Sequence, residues 1–231
     1  MKNPLLLGTC LYGLSLLAHA DIIDFDDLAS GIIVDDEYAP MVNVSVLNLG
    51  GGPDVAVVFD TLKPTGRDYD LGGPFDSNNP DLDDDYEAKN VLIIHERYDC
   101  NKLTCYEPDD EGSRRAGKFF FDFKKLVTLE SIDFFDVETE ENGSRPENAI
   151  RLFDDTNNEI MPYSFYTPDT GGDRMWDRLV FNVSGVKRIE LNMGGSGAID
   201  NIQFSVIPIP SAIWLFGCGL IGLVALARRK A

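Results

Sequence analysis

The sequence KFFFDF, which begins at Lys118, shows the pattern that decides the fold. Phe119, Phe121 and Phe123 fall on one side of an extended chain and Asp122 on the other, because successive side chains of a strand point to opposite faces. One apolar face and one polar face are typical of a strand that covers a core and also meets water. This stretch is therefore predicted to be a half-buried β-strand.

Similar strand signals recur along the chain on both sides of this stretch. Residues 42–46 alternate between valine and polar residues, and residues 91–94 form a continuous apolar run, as in a strand that is covered on both faces. Further strand signals lie at residues 23–25, 55–59, 127–135, 150–153, 160–166, 179–183, 188–193 and 198–204. About ten short strands without a helical stripe predict an all-β chain, with a single jelly-roll-like β-sandwich domain at residues 21–205.

The N terminus has the pattern of an export signal. Lys2 is followed by an apolar segment at residues 5–17 and by Ala18-His19-Ala20, which is an A-x-A cleavage site. We predict a signal peptide at residues 1–20, with an uncleaved N-terminal anchor as the alternative.

Residues 206–231 have the pattern of a membrane segment. A proline motif precedes an apolar run at residues 212–227, and a basic cluster that ends at Lys230 follows it. A helix of this length nearly spans a bilayer, and basic residues stay on the cytoplasmic side. The physical pattern alone predicts an ordinary transmembrane anchor in the inner membrane, with residues 21–205 outside the cytoplasm.

The same tail resembles the PEP-CTERM sorting signal of Gram-negative bacteria. The resemblance rests on Pro208 and Pro210, on Trp214 in a glycine-rich apolar segment, and on Arg228 and Arg229. It departs from the usual pattern in having isoleucine in place of an acidic residue between the prolines. The resemblance implies cleavage by exosortase, a membrane cysteine protease, after transient anchoring in the inner membrane. The product would then lie at the cell surface or in an extracellular, exopolysaccharide-containing biofilm matrix.

The charge of the exported segment limits its partners. Residues 21–205 contain all 39 acidic residues and 16 of the 20 basic residues, which gives a net charge of −23. Nucleic acid is excluded as a partner, because phosphate binding requires the opposite sign. Divalent cations are the expected counter-ions.

The two cysteines of this segment, Cys100 and Cys105, are five positions apart. In an oxidising compartment they are predicted to form a disulfide bond, and metal binding by the two thiols is the alternative.

Carboxylates at two places in the sequence predict calcium binding. The first group lies in and before a glycine- and proline-rich loop at residues 63–89, and the second lies near the first and last strands. Calcium takes six to eight oxygen ligands from such carboxylates and from turn carbonyls. The candidate ligands are Asp60, Asp68 and Asp70 in the first group, and Asp26, Asp27 and Asp200 in the second. A solvated acidic surface without a bound ion is the alternative.

Three aromatic residues and one histidine bear on the function of residues 21–205. Trp176, Tyr69 and Tyr86 lie in or near loops and are candidates for stacking against sugars. His95 is the single histidine of residues 21–205, which favours a packed residue over a catalytic triad and excludes histidine-based zinc hydrolysis. We therefore expect a non-catalytic surface or matrix protein that binds polysaccharide and calcium. A glycan hydrolase that uses two carboxylates is the alternative.

Overall fold

Nine strands make up the regular structure of the described residues, which are 20–66, 68–110, 115–138 and 145–208 in this computed structural model. They are β1 (Ala20–Ile23), β2 (Val42–Asn48), β3 (Ala56–Asp60), β4 (Asn90–Ile94), β5 (Gly117–Phe135), β6 (Ala149–Phe153), β7 (Glu159–Tyr166), β8 (Trp176–Met193) and β9 (Ala198–Val206). The helical structure described is a single 3₁₀ turn at Pro146–Asn148. The prediction of an all-β chain is confirmed.

Hydrogen bonds join the strands into one antiparallel sheet. Its order is β3-β4-β9-β5-β8-β6-β7, with β1 paired to β9 and β2 paired to β5. The long strand β5 lies at the centre, because β8 runs along one of its edges while β2 and then β9 share the other.

A bulge in β5 marks the point where its partner changes from β2 to β9. The register with β8 shifts between Asp122 and Val127, and Gly185 opposite has a positive φ of 86°. The sequence predicts one strand at KFFFDF and another at residues 127–135, and likewise separate strands at residues 179–183 and 188–193. In the structure the first two form the continuous strand β5, and the second two form the continuous strand β8. A β-bulge accommodates the extra residues and bends the strand, and the pairing with the neighbouring strand continues beyond it. In the sequence, however, Lys124 and Lys125 of β5 and Gly185 of β8 have the composition of turns.

The main core draws on every strand of the sheet. One cluster of buried and partly buried apolar residues contains members from β1 to β9, and Phe119, Phe121 and Phe123 of the KFFFDF sequence are at most 1% exposed within it. Because the bent sheet folds its apolar side around this cluster, the architecture is β-sandwich-like.

A second core lies on the opposite side of β3 and β4. Val57 of β3, Ile93 of β4 and Phe135 of β5 pack there with Leu71 and Phe75, which belong to the loop 63–89. Both strands are thus buried on two faces, as residues 91–94 were predicted to be. The loop is held to the sheet by its own apolar side chains.

The predicted disulfide bond between Cys100 and Cys105 is present. The N–H of Cys105 donates to the carbonyl oxygen of Gly31 at 2.8 Å. Gly31 has a φ of 86°, and a Cβ at this position would lie 2.5 Å from the oxygen of Cys105. Only glycine therefore allows this close approach between the two segments.

The predicted terminal segments lie outside the described residues, apart from Ala20 and from the first residues of the tail. In the described part of the chain, no helix has the length and apolar character needed to cross a membrane.

Candidate functional site

The first predicted group of calcium ligands is partly brought together. Asp68 and Asp70 have neighbouring carboxyl groups in the loop 63–89, and the charges that act most strongly on Asp68 are those of Asp110 and Asp70. Asp60 has a local role at the end of β3, where its Oδ1 accepts the N–H of Leu62 at 3.0 Å.

Asp68, Asp110 and Asp136 form what we call the inner acidic cluster. They are 1%, 2% and 4% exposed, respectively. One oxygen of each, Oδ2 of Asp68 and Oδ1 of the other two, is buried without a hydrogen-bond partner among the described residues. Asp70 is partly exposed and lies beside them. An unused acceptor oxygen on a buried carboxyl group can be satisfied by a proton, by a water molecule or by a cation.

The cluster forms where β5 ends and where β8 and β9 begin. Asp136 follows β5 with a positive φ of 56°, and its N–H donates to the carbonyl oxygen of Met175, the residue before β8. Asp110 Oδ2 accepts the N–H of Gly197, the residue before β9, at 2.6 Å. Three strand ends therefore fix two of the three carboxyl groups.

The loop 63–89 supplies the third carboxyl group. Asp68 Oδ1 accepts the N–H of Leu71 at 3.3 Å, and the carbonyl oxygen of Asp70 accepts the N–H of Arg174 at 2.9 Å. These bonds, together with the apolar contacts of the second core, place the loop against the strand ends.

Burial dominates the electrostatics of the cluster. It raises the pKa of Asp68 to about 12 and that of Asp136 to about 9, and in both cases the negative charge of Asp110 adds to the effect. Burial also raises the pKa of Asp110, although its contacts with Asp68 and with the N–H of Gly197 oppose the change. A carboxyl group in such surroundings takes up either a proton or a cation.

The second predicted group centres on a row of side chains across three strands. Asp133 of β5 pairs in register with Asp200 of β9 on one side and with Arg178 of β8 on the other. Arg178 binds Asp133 through two hydrogen bonds of 2.5 and 2.7 Å. Asp200 is 3% exposed, and its Oδ1 has no hydrogen-bond partner among the described residues. Arg178 thus pairs directly with Asp133.

The other members of the second group are near the surface and already engaged. Asp26 pairs with Lys89 at 3.0 Å, and Asp27 Oδ1 accepts the hydroxyl of Tyr38 at 2.9 Å. Burial raises the pKa of Asp200 well above its ordinary value, and the negative charges of Asp133 and Asp26 add to this. Asp26 and Asp200 are therefore electrostatic neighbours.

Sequence reasoning missed Asp110 and Asp136. Asp110 lies in a run of acidic residues that resembles a solvated turn, and only its burial in the structure distinguishes it from its neighbours. Asp136 had a usable signal, because it directly follows the apolar end of a strand.

The three predicted sugar-stacking aromatics have different surroundings. Tyr69 is 66% exposed. Trp176 is 3% exposed, stacks on Tyr86 with ring centroids 4.5 Å apart, and donates its Nε1–H to the carbonyl oxygen of Asp83. Burial therefore argues against the interpretation of Trp176 as a ring presented to a ligand, whereas Tyr86 is partly buried and its predicted role stays a prediction. Trp176 belongs to the second core, and Tyr86 packs against this core from a partly buried position.

A second candidate site lies on the β5–β8–β6–β7 part of the sheet. A groove of about 340 Å³ is lined there by charged residues and by Tyr163, which is 83% exposed. Lys118 Nζ lies 2.6 Å from Glu190 Oε1, and Arg151 lies 2.8 Å from Glu159 and 3.6 Å from Glu190. We call these five residues the polar groove.

His95 is a packed residue. It is fully buried, and its Nε2 lies 2.8 Å from Asp99 Oδ1. Its ring nitrogen and the sulfurs of Cys100 and Cys105 lie within 4.8 Å of one another. Because these sulfurs form a disulfide bond, they are not thiolates and do not form a zinc site of the usual kind.

No family model matches the chain, and no curated protein matches it.

Proposed function

We propose that this chain is an exported protein of the cell surface or biofilm matrix whose β-sandwich binds polysaccharide without cleaving it. The observation that carries the proposal is the polar groove, which combines an exposed tyrosine ring with guanidinium, ammonium and carboxylate groups. Sugars offer hydroxyl groups to such donors and acceptors, and they offer apolar ring faces to an aromatic side chain. The pairing of the last strand with the first supports a jelly-roll arrangement.

The carboxylates of the groove favour binding over hydrolysis. A glycosidase needs one carboxyl group with a raised pKa to act as the acid. The hydrogen bonds from Arg151 lower the pKa of Glu159, and both oxygens of Glu190 face cations, Lys118 and Arg151. Asp68, Asp136 and Asp200, the described carboxyl groups whose pKa is strongly raised, are too buried to reach a polymer.

The terminal signals support the cellular part of the proposal. In it, the signal peptide at residues 1–20 is removed and an exosortase-type protease cleaves the tail. We expect the intact mass of the surface protein to show a chain that starts at Asp21 and ends near Pro210. Recovery of chains that still contain Trp214 and Arg229 would instead indicate a permanent anchor.

Binding can be tested on a glycan array with the full-length chain. We expect Tyr163→Ala to weaken binding at least about tenfold, because a stacked aromatic ring contributes on the order of 1 kcal/mol or more beyond its buried area. The matched control is Tyr106→Ala, since both tyrosines are 83% exposed. Equal binding by the two variants would contradict the proposed site, and release of cleaved product from a bound glycan would show that the protein is an enzyme.

A further inference from the structure

We propose that the inner acidic cluster of Asp68, Asp110 and Asp136, with Asp70 beside it, binds one calcium ion that fastens the loop 63–89 to the ends of β5, β8 and β9. This site is separate from the polar groove, and the inference does not depend on polysaccharide binding.

The first argument is the uncompensated charge. Three carboxyl groups are at least 96% buried. Asp136 Oδ1 has no hydrogen-bond partner among the described residues. The side chains of Asp68 and Asp110 hydrogen-bond each other, which requires a proton between two carboxyl groups when no cation is bound. The main electrostatic influences on Asp136 come from other carboxyl groups, namely Asp110, Asp70, Asp173 and Glu138. A folded domain retains such an arrangement only when something offsets the loss of hydration, and a bound cation does so directly.

The second argument is the chemistry of the donors. The cluster offers carboxylate oxygens but neither imidazole nor thiolate, so it suits a hard cation and not zinc or copper. Calcium accepts irregular sets of six to eight oxygens, which loop carbonyls and water can complete, whereas magnesium demands a near-ideal octahedron. A site built from a loop and three strand ends therefore favours calcium.

Another acidic group is more compact but has a different character. Asp35, Asp36 and Glu37 are all exposed, and each has a carboxylate oxygen within 4.8 Å of the other two. The carboxylate oxygens of Asp68, Asp110 and Asp136 do not all lie this close to one another. Their oxygens accept local N–H groups, at 2.6 Å from Asp36 to Asp35 and at 2.7 Å from Asp35 to Glu37. This group is adequately solvated without an ion, and it provides a control. In the inner cluster we expect the ion to draw the carboxyl groups together.

The test is calcium titration calorimetry and thermal unfolding of the full-length chain, with EGTA as the reference. We expect calcium to bind to the wild-type chain. At a calcium concentration about 100-fold above the dissociation constant, we expect a rise of about 5–11 °C in Tm. Calcium that neither binds nor shifts Tm would overturn the proposal, and would indicate that Asp68 and Asp110 share a proton instead.

The variant Asp136→Asn separates a ligand from a purely structural residue. In EGTA its Tm should lie within about 4 °C of the wild-type value, because the amide keeps the shape of the carboxyl group and adds no charge to the cluster. In calcium its Tm should fall below that of the wild type, and its calcium affinity should drop at least about tenfold. The control variant Asp36→Asn should keep the wild-type affinity.

Two outcomes would contradict the assignment. One is an equal loss of Tm by Asp136→Asn with and without calcium, which would identify a structural residue. The other is full calcium binding by Asp136→Asn together with loss of binding in Asp36→Asn or Asp200→Asn, which would place the ion at one of the other acidic groups.

Discussion

Replacing Arg178 with methionine is expected to reduce the free energy of unfolding by about 3–5 kcal/mol, because it leaves Asp133 buried without its charge partner. Asp133 has a fully buried side chain and lies between β8 and β9. The other hydrogen bond of the Asp133 carboxyl group in the described structure comes from Asn201 Nδ2, which donates at 3.0 Å. For a domain of this size, the loss corresponds to a fall of roughly 6–20 °C in Tm.

The chain contains a matched control for this variant. Arg188 binds Asp122 across the same two strands with nearly the same geometry, at 2.6 and 2.8 Å, but the side chain of Asp122 is 38% exposed. Arg188→Met should therefore cost no more than about 1 kcal/mol. Equal losses in the two variants, measured by chemical denaturation, would show that burial does not set the strength of these pairs.

Two further measurements test the cause of the loss. Burial raises the pKa of Asp133 even beside Arg178, so without the arginine this carboxyl group is expected to hold its proton more tightly. When a carboxyl group has a higher pKa in the folded than in the unfolded chain, the fold loses stability as the pH rises above the unfolded-state pKa, which is about 4 for aspartate. The variant Arg178→Met should therefore recover stability as the pH falls toward about 4. Removing both charges, in Arg178→Met with Asp133→Leu, should restore much of the stability.

Replacing Phe135 with alanine is the second change for which we expect a large effect, a loss of about 3–5 kcal/mol. The Phe135 ring is fully buried in the second core, where its centroid lies 4.8 Å from that of Phe75 and 6.2 Å from those of Tyr86 and Trp176. Phe75 and Tyr86 belong to the loop 63–89. The cavity left by alanine would therefore remove the surface on which this loop packs.

Amide hydrogen exchange can separate this local effect from a general one. We expect the amides of Phe75 and Tyr86, which hydrogen-bond each other's carbonyl oxygens at 2.9 and 2.8 Å, to lose protection before those in the middle of β5. Tyr98→Ala is the control, because Tyr98 is 81% exposed and should tolerate truncation within about 0.5 kcal/mol. Uniform loss of protection across the domain would contradict a role for Phe135 in holding the loop.

The sequence predicts the strands well where one face is apolar. In KFFFDF and in residues 42–46, the period of two alone determines which side chains are buried. It predicts the length of β5 and β8 poorly, because Lys124, Lys125 and Gly185 have the composition of turns. Whether such residues end a strand or form a bulge depends on the neighbouring strand, and local sequence carries no information on that neighbour.

The candidate site was predictable only in part, for a similar reason. Asp68 and Asp70 were identified from their spacing in a loop, but Asp110 and Asp136 come from other parts of the chain. What unites them is desolvation, which arises only when strand ends from distant positions meet. Trp176 illustrates the opposite error. Its position after a glycine turn predicted an accessible ring, but β8 begins at this residue and its ring is buried in the second core.

The position of β9 has a consequence for how the protein reaches its folded state. β9 is the last of the described strands, yet it pairs with β1, with β4 and with the second half of β5. Because the polypeptide is synthesised from its N terminus, β1, β4 and the second half of β5 lack their partner β9 until residue 206 has been synthesised. Such distant pairing makes folding slow, and it postpones the final closure of the sheet until β9 has been made. The pairings of β3 with β4, of β5 with β2 and β8, and of β6 with β7 and β8 do not need β9, so what waits for the last pairing is the joining of these parts into one sheet.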